Sequence, residues 1–107
     1  MLTKLIGSSF AALILAAAPA ALADGPSVFK AEGCTECHSV SAKGIKLNAD
    51  GTLEKDLSHI GAKHDKKWIA GVLLQKVDNE KGDKHKKKWR GSKDDLKVLA
   101  EWLESLK

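Results

Sequence analysis

The run Cys34-Thr35-Glu36-Cys37-His38 constrains this chain more than any other stretch, because Cys-x-x-Cys-His is the attachment signature of a c-type haem. The two thiols add across vinyl groups, so both sulfurs must reach one porphyrin edge. His38 then lies close enough beneath the ring to bind iron as the proximal ligand. A fold that accepts this motif has to close around a large apolar disc. Three other uses of Cys34 and Cys37 compete with haem: a zinc site, a thioredoxin-like dithiol and an ordinary disulfide. Zinc needs a fourth ligand beyond Cys34, Cys37 and His38, and no second Cys-x-x-Cys or His-x-x-x-His pair stands elsewhere in the chain. The dithiol reading needs a βαβ setting, and no strand pattern surrounds the motif.

Residues 1–23 read as a secretory signal: Lys4 is the positive start, residues 5–18 are apolar, and Ala21-Leu22-Ala23 offers a small-residue cleavage site before Asp24. An uncleaved anchor is the alternative, since residues 5–23 are 19 positions without a charge, about the length that spans a bilayer. Pro19 and the Ala-Leu-Ala run argue for cleavage, and no cysteine near residue 23 could accept a lipid. Export suits a haem attached to thiols, and the expected location is periplasmic, or extracellular after a second export step. With cleavage there is no stable membrane insertion. Residues 24–107 then form one domain. Of the 18 basic residues one, Lys4, leaves with the signal, so 17 stand against 14 acidic ones, a formal +3. That excess is too small to suggest nucleic acid.

A chain this short buries only about 60–65 per cent of its unfolded surface, so a tethered porphyrin becomes part of its core and the apoprotein is expected to fold poorly. The pattern along the chain is all-α, three or four short helices joined by irregular loops, with no strand of useful length. A first helix is expected from Pro26 or Ser27 to about Glu32, with Gly33 as its stop. Gly44, Asn48, Asp50 and Gly51 mark turns in a loop around the haem, to which Leu57 and Ile60 add apolar contacts. Asp65 is placed to cap a helix over residues 66–76, with an apolar stripe of Trp68, Ile69, Val72 and Leu73. Residues 77–91 hold nothing apolar between Val77 and Trp89 and read as loop. Ser92 and Asp95 resemble a capping box before a last helix in which Leu96, Leu99, Leu103 and Leu106 recur at helical spacing, with Trp102 beside them.

Across nearly all of residues 24–107 this arrangement resembles the class I cytochrome c family. The resemblance rests on the haem motif, on Asp56-Leu57-Ser58-His59-Ile60-Gly61 followed by Trp68 in a helix, and on a Gly-Ser turn before the last helix. It implies helices wrapped around one covalent haem c. It also implies an aromatic contact between the first and last helices, for which Phe29 and Trp102 stand in the right places. Members of the family commonly supply a distal methionine from the loop before the Gly-Ser turn. This chain departs from them, because its only methionine is Met1, and the corresponding stretch reads Lys84-His85-Lys86-Lys87. His85 is therefore the candidate sixth ligand, with His59 as second choice. His64, at a helix start and expected to be exposed, ranks behind both. A second imidazole in place of a thioether removes an effect that raises the reduction potential, so a bis-histidine form implies a low-potential carrier. The family's proline carbonyl behind the proximal histidine is also missing, so another carbonyl between residues 43 and 57 must orient His38.

Trp68 stands where the family packs an indole near the haem edge, to meet a propionate or cover the porphyrin. Core packing is the equal alternative. Trp89 would shield the distal side or anchor its loop. The run of residues 84–88 reads as solvated surface, or as a basic patch that steers an acidic redox protein partner. Two function classes follow: a one-electron carrier that is not an enzyme, and a haem protein with an open or weakly closed distal site that binds nitric oxide, carbon monoxide or oxygen. No acid–base pair or substrate pocket is recognisable.

Overall fold

Helices form where the chain supplies both a cap and an apolar stripe, and the computed structural model shows three of them within the residues it describes, 24–107. The expected signal segment lies outside the described residues. Helix α1 spans Gly25–Ala31, opened by the Asp24 side chain, which accepts from the Ser27 N–H at 2.9 Å, and carrying proline in its first turn. It buries Val28 and Phe29. Just past its end Gly33 takes φ +77°, a left-handed conformation that costs a glycine little and turns the chain at once into Cys34. Helix α2, Lys66–Leu73, is capped by Asp65, whose carboxylate accepts from the Trp68 N–H at 2.9 Å. Helix α3, Lys93–Glu104, is capped by Ser92, whose hydroxyl accepts from the Asp95 N–H at 3.0 Å.

Helix α2 ends three residues short of the expected position 76. Gln75 adopts φ 59° and closes a Schellman-type end, its N–H bonding the Val72 carbonyl at 3.0 Å and that of Lys76 the Gly71 carbonyl at 2.8 Å. Nothing in the local sequence announces this stop, since glutamine is a good helix former.

Packing joins α1 to α3 and α2 to α3. Phe29 meets Trp102 edge to face, centroids 5.6 Å apart at 64°, which realises the aromatic crossing implied by the resemblance. Gly25 makes the crossing close, for a Cβ there would run into Trp102. The core gathers Val28, Phe29, Val40, Ile45, Ile60, Ile69, Leu99, Leu103 and Leu106. Phe29, Val40 and Leu99 are fully buried, worth about 1.5–3 kcal/mol each for side chains of this kind. All four leucines of the last apolar stripe are buried, although Leu106 lies beyond the helix. It is held there by its carbonyl, which accepts from the Gly61 N–H at 2.7 Å. At Gly61 any side chain would strike the Glu104 backbone, so the turn at Ile60–Ala62 seats directly on the end of α3.

A parallel two-residue ladder, for which the sequence holds no strand signal, pairs strand β1, His38–Ser39, with strand β2, Lys55–Asp56. It sets His38 opposite Lys55.

Candidate haem site

The haem motif is built as a short 3-10 turn, Cys34–Glu36, running straight into β1. Successive backbone groups of the following loop bond to it: Asn48 N–H to the Thr35 carbonyl at 2.8 Å, Thr52 to Glu36 at 3.0 Å, Glu54 to Cys37 at 2.7 Å and Leu57 to Ser39 at 2.8 Å. The loop is therefore zipped along the motif. Asp56 fastens its far end, accepting from both Ser58 groups, from the Ser39 hydroxyl at 2.8 Å and from the Ser41 N–H at 3.1 Å. These bonds, Ser58's first, hold the Asp56 carboxyl well below the usual carboxylate range.

The zip delivers the Lys55 carbonyl to His38, whose Nδ1 lies 2.9 Å from it. A carbonyl only accepts, so Nδ1 carries the proton and Nε2 keeps its lone pair. This is the orienting group that the missing proline left open. Burial, with His85 nearby, keeps the His38 imidazole below its ordinary pKa and therefore neutral.

Cys34 and Cys37 are half-buried and not bonded to each other. Burial, then the Glu32 charge, pushes the Cys34 thiol up to about 11. A redox-active dithiol needs the opposite shift. Among the described residues no group of three or more His, Cys, Asp and Glu side chains is arranged to hold a metal by itself.

The structure brings His85 to His38. Their rings lie 6.1 Å apart, centroid to centroid, at 18° to one another. His85 also ties its Nδ1 to a carbonyl, that of Lys87 at 2.6 Å, which places the proton of a neutral ring on Nδ1 and leaves Nε2 as the ligating nitrogen. Metal–imidazole bonds of about 2.0–2.1 Å on each side bring two ring centres to roughly this separation. The loop bearing His85, residues 77–91, has no helix or strand. Gln75 donates its amide to the His85 carbonyl at 2.6 Å, and the Lys84 ammonium reaches the Gln75 carbonyl at 3.3 Å. Trp89 ends the loop as an anchor, its backbone N–H on the Leu73 carbonyl at 2.8 Å and its indole N–H on the Ser92 carbonyl at 3.1 Å.

The other candidates lie apart from this pair. His59 is exposed, its Nδ1 3.1 Å from the Lys107 carbonyl. His64, expected to be exposed, is half-buried instead. Its ring stacks on Trp68, centroids 3.5 Å apart at 11°, and its Nε2 lies 2.7 Å from Glu80. Trp68 thus has one face covered by His64. The basic run is also less free than its composition suggests, since Lys86 pairs with Glu54 at 2.9 Å and Lys87 with Glu36 at 3.0 Å. Lys84 and Lys88 are in no ion pair among the described residues.

Four residues shape the site without a signal of their own in the sequence: Lys55 acts through its backbone, Gln75 through an irregular helix end, Glu54 through a partner far along the chain, and Glu36, at a variable position of the motif, through Lys87.

A cytochrome c family model matches residues 22–107. No curated protein and no solved structure matches the chain.

Proposed function

This chain belongs to the cytochrome c family, whose members carry covalently attached haem c and whose attachment motif Cys34 and Cys37 fit; from this we propose that it is a low-potential one-electron carrier with His38 and His85 as axial ligands. Family membership supports haem-based electron transfer. One observation carries the finer reading: two imidazoles face each other at 6.1 Å, each with Nδ1 on a carbonyl. The haem supplies the one-electron iron couple.

Each remaining part is the work of the chain. Cys34 and Cys37 fix the porphyrin edge, and the zipped loop fixes the ring plane of His38. Because Lys55 accepts from Nδ1, the imidazole is a better donor at Nε2. On the other side Gln75 and the Lys87 carbonyl set the height and tilt of His85. Two held ligands leave little to rearrange between oxidation states, which suits a carrier. Imidazole in place of methionine lowers the potential. Acidic redox proteins are the partners we propose, drawn to Lys84 and Lys88 within the His85 loop, and the proposed location is the periplasm.

The reading is tested by absorption and low-temperature electron paramagnetic resonance spectra of the haem protein and of His85→Ala. A low-spin bis-imidazole signature that turns high-spin in the variant is the expected result. A native protein that is already high-spin and takes up carbon monoxide freely when reduced would overturn it in favour of gas binding.

A further inference from the structure

The His85 loop is held to the opposite side of the site by contacts that its own local structure does not require. Glu36 stands between the two cysteines, and its Oε1 lies 3.0 Å from the Lys87 ammonium. Glu54 donates its N–H to the Cys37 carbonyl at 2.7 Å, and its Oε2 lies 2.9 Å from the Lys86 ammonium. Both carboxylates are therefore carried on backbone that is fixed relative to His38. Both ammoniums directly follow His85. The two pairs bridge 51 and 32 residues of sequence, so each closes a long loop rather than decorating one element.

We propose that Glu36–Lys87 and Glu54–Lys86 form an electrostatic clasp that positions His85 over the iron, and that opening it admits small ligands to the distal side. This rests on the reading of His85 as a ligand. The four residues are positioning residues, because none touches the iron itself. Their side chains are well exposed, from 32 to 75 per cent, so each pair is weak and screened by salt. From inside, the Gln75 amide holds the His85 carbonyl by a neutral hydrogen bond that salt does not weaken. The clasp therefore does not decide whether the domain folds. It decides how often the distal ligand lets go. An ionic-strength-dependent distal site is the consequence.

The test mixes the reduced haem protein with carbon monoxide in a stopped-flow spectrometer at low and high salt. For the parent, binding limited by release of His85 should quicken about three- to tenfold between roughly 0.01 M and 1 M salt, as exposed pairs are screened. Glu36→Gln/Glu54→Gln should bind at the parent's high-salt rate under both conditions, and Lys86→Gln/Lys87→Gln should do the same. Equal rates and equal salt slopes in parent and variants would overturn the clasp. His85→Ala separates the two failures. If that variant binds rapidly at every salt concentration while the glutamine variants match the parent, the clasp falls and the ligand stands. If His85→Ala binds no faster than the parent, the ligand assignment falls and takes the clasp with it.

Discussion

The α1–α3 crossing should be intolerant of a single methyl group at Gly25. A Cβ there would overlap Trp102 Cβ and Cγ and would still lie only 2.8 Å from Cδ2. Ordinary carbon contacts begin at about 3.5 Å, so even the third-nearest atom must retreat by about 0.7 Å, and the nearer ones by more. Trp102 cannot simply swing aside, because its ring is held edge to face on the fully buried Phe29. Forced overpacking costs about 1–3 kcal/mol. Losing the aromatic geometry adds about 0.5–1.5 kcal/mol. Gly25→Ala should then destabilise the domain by about 2–4 kcal/mol, which for a domain of this size lowers the melting temperature by roughly 10–25 °C. The assay is thermal unfolding of the oxidised haem protein followed by circular dichroism in the haem band. Gly44→Ala is the control, since Gly44 has φ +70° but open space where a Cβ would go. It should cost only the left-handed conformation, about 1–2 kcal/mol. A Gly25→Ala protein that melts no lower than Gly44→Ala would refute the close-crossing argument.

Two further outcomes follow from charge. Glu80 accepts from Lys55 at 2.9 Å and from His64 at 2.7 Å, and these bonds, the Lys55 one first, bring its carboxyl down to about 2. The folded value lies below the unfolded one of about 4.3, so this contribution is present above about pH 4.3 and is lost as pH falls towards 2. Glu80→Gln should lower the urea midpoint at pH 5, and the gap should narrow steadily as pH falls from about 4.3 towards 2; a gap of constant size would sink the assignment. For docking, electron transfer with an anionic iron–cyanide complex should slow as salt rises, and Lys84→Gln/Lys88→Gln should remove most of that slope. A rate that ignores ionic strength in the parent would rule out steering by this loop.

Much of the fold is legible in the amino-acid sequence, and the legible parts share a cause. Asp65 and Ser92 cap their helices within three residues of themselves, and the Leu96, Leu99, Leu103, Leu106 stripe needs only helical spacing to define a buried face. The Phe29–Trp102 contact follows from family resemblance rather than local pattern. Harder cases are those in which competing contacts win over propensity. Helix α2 stops at Leu73 because Gln75 turns left-handed and its amide goes to the His85 carbonyl, an arrangement no helix-forming tendency of glutamine reveals. His64 reads as a surface residue, yet Glu80 reaches it from 16 residues away and Trp68, one turn on, covers its ring. The lysine run reads as free charge, yet two of its members are paired with Glu36 and Glu54.

The sequence by itself determined where the haem-attachment motif stands and which face each helix buries, because the motif is five adjacent residues and burial needs one repeating period. It also left His85 as the natural candidate opposite His38, once methionine was missing from its loop. Only the tertiary structure decided that the Lys55 carbonyl orients His38, since every residue offers a carbonyl and the choice among them is made by loop closure. The same is true of the approach of His38 to His85 and of the pairs that tie residues 36 to 87 and 54 to 86. Such contacts join points that are distant along the chain, and no local pattern encodes a meeting that exists only after the loops have folded over the core.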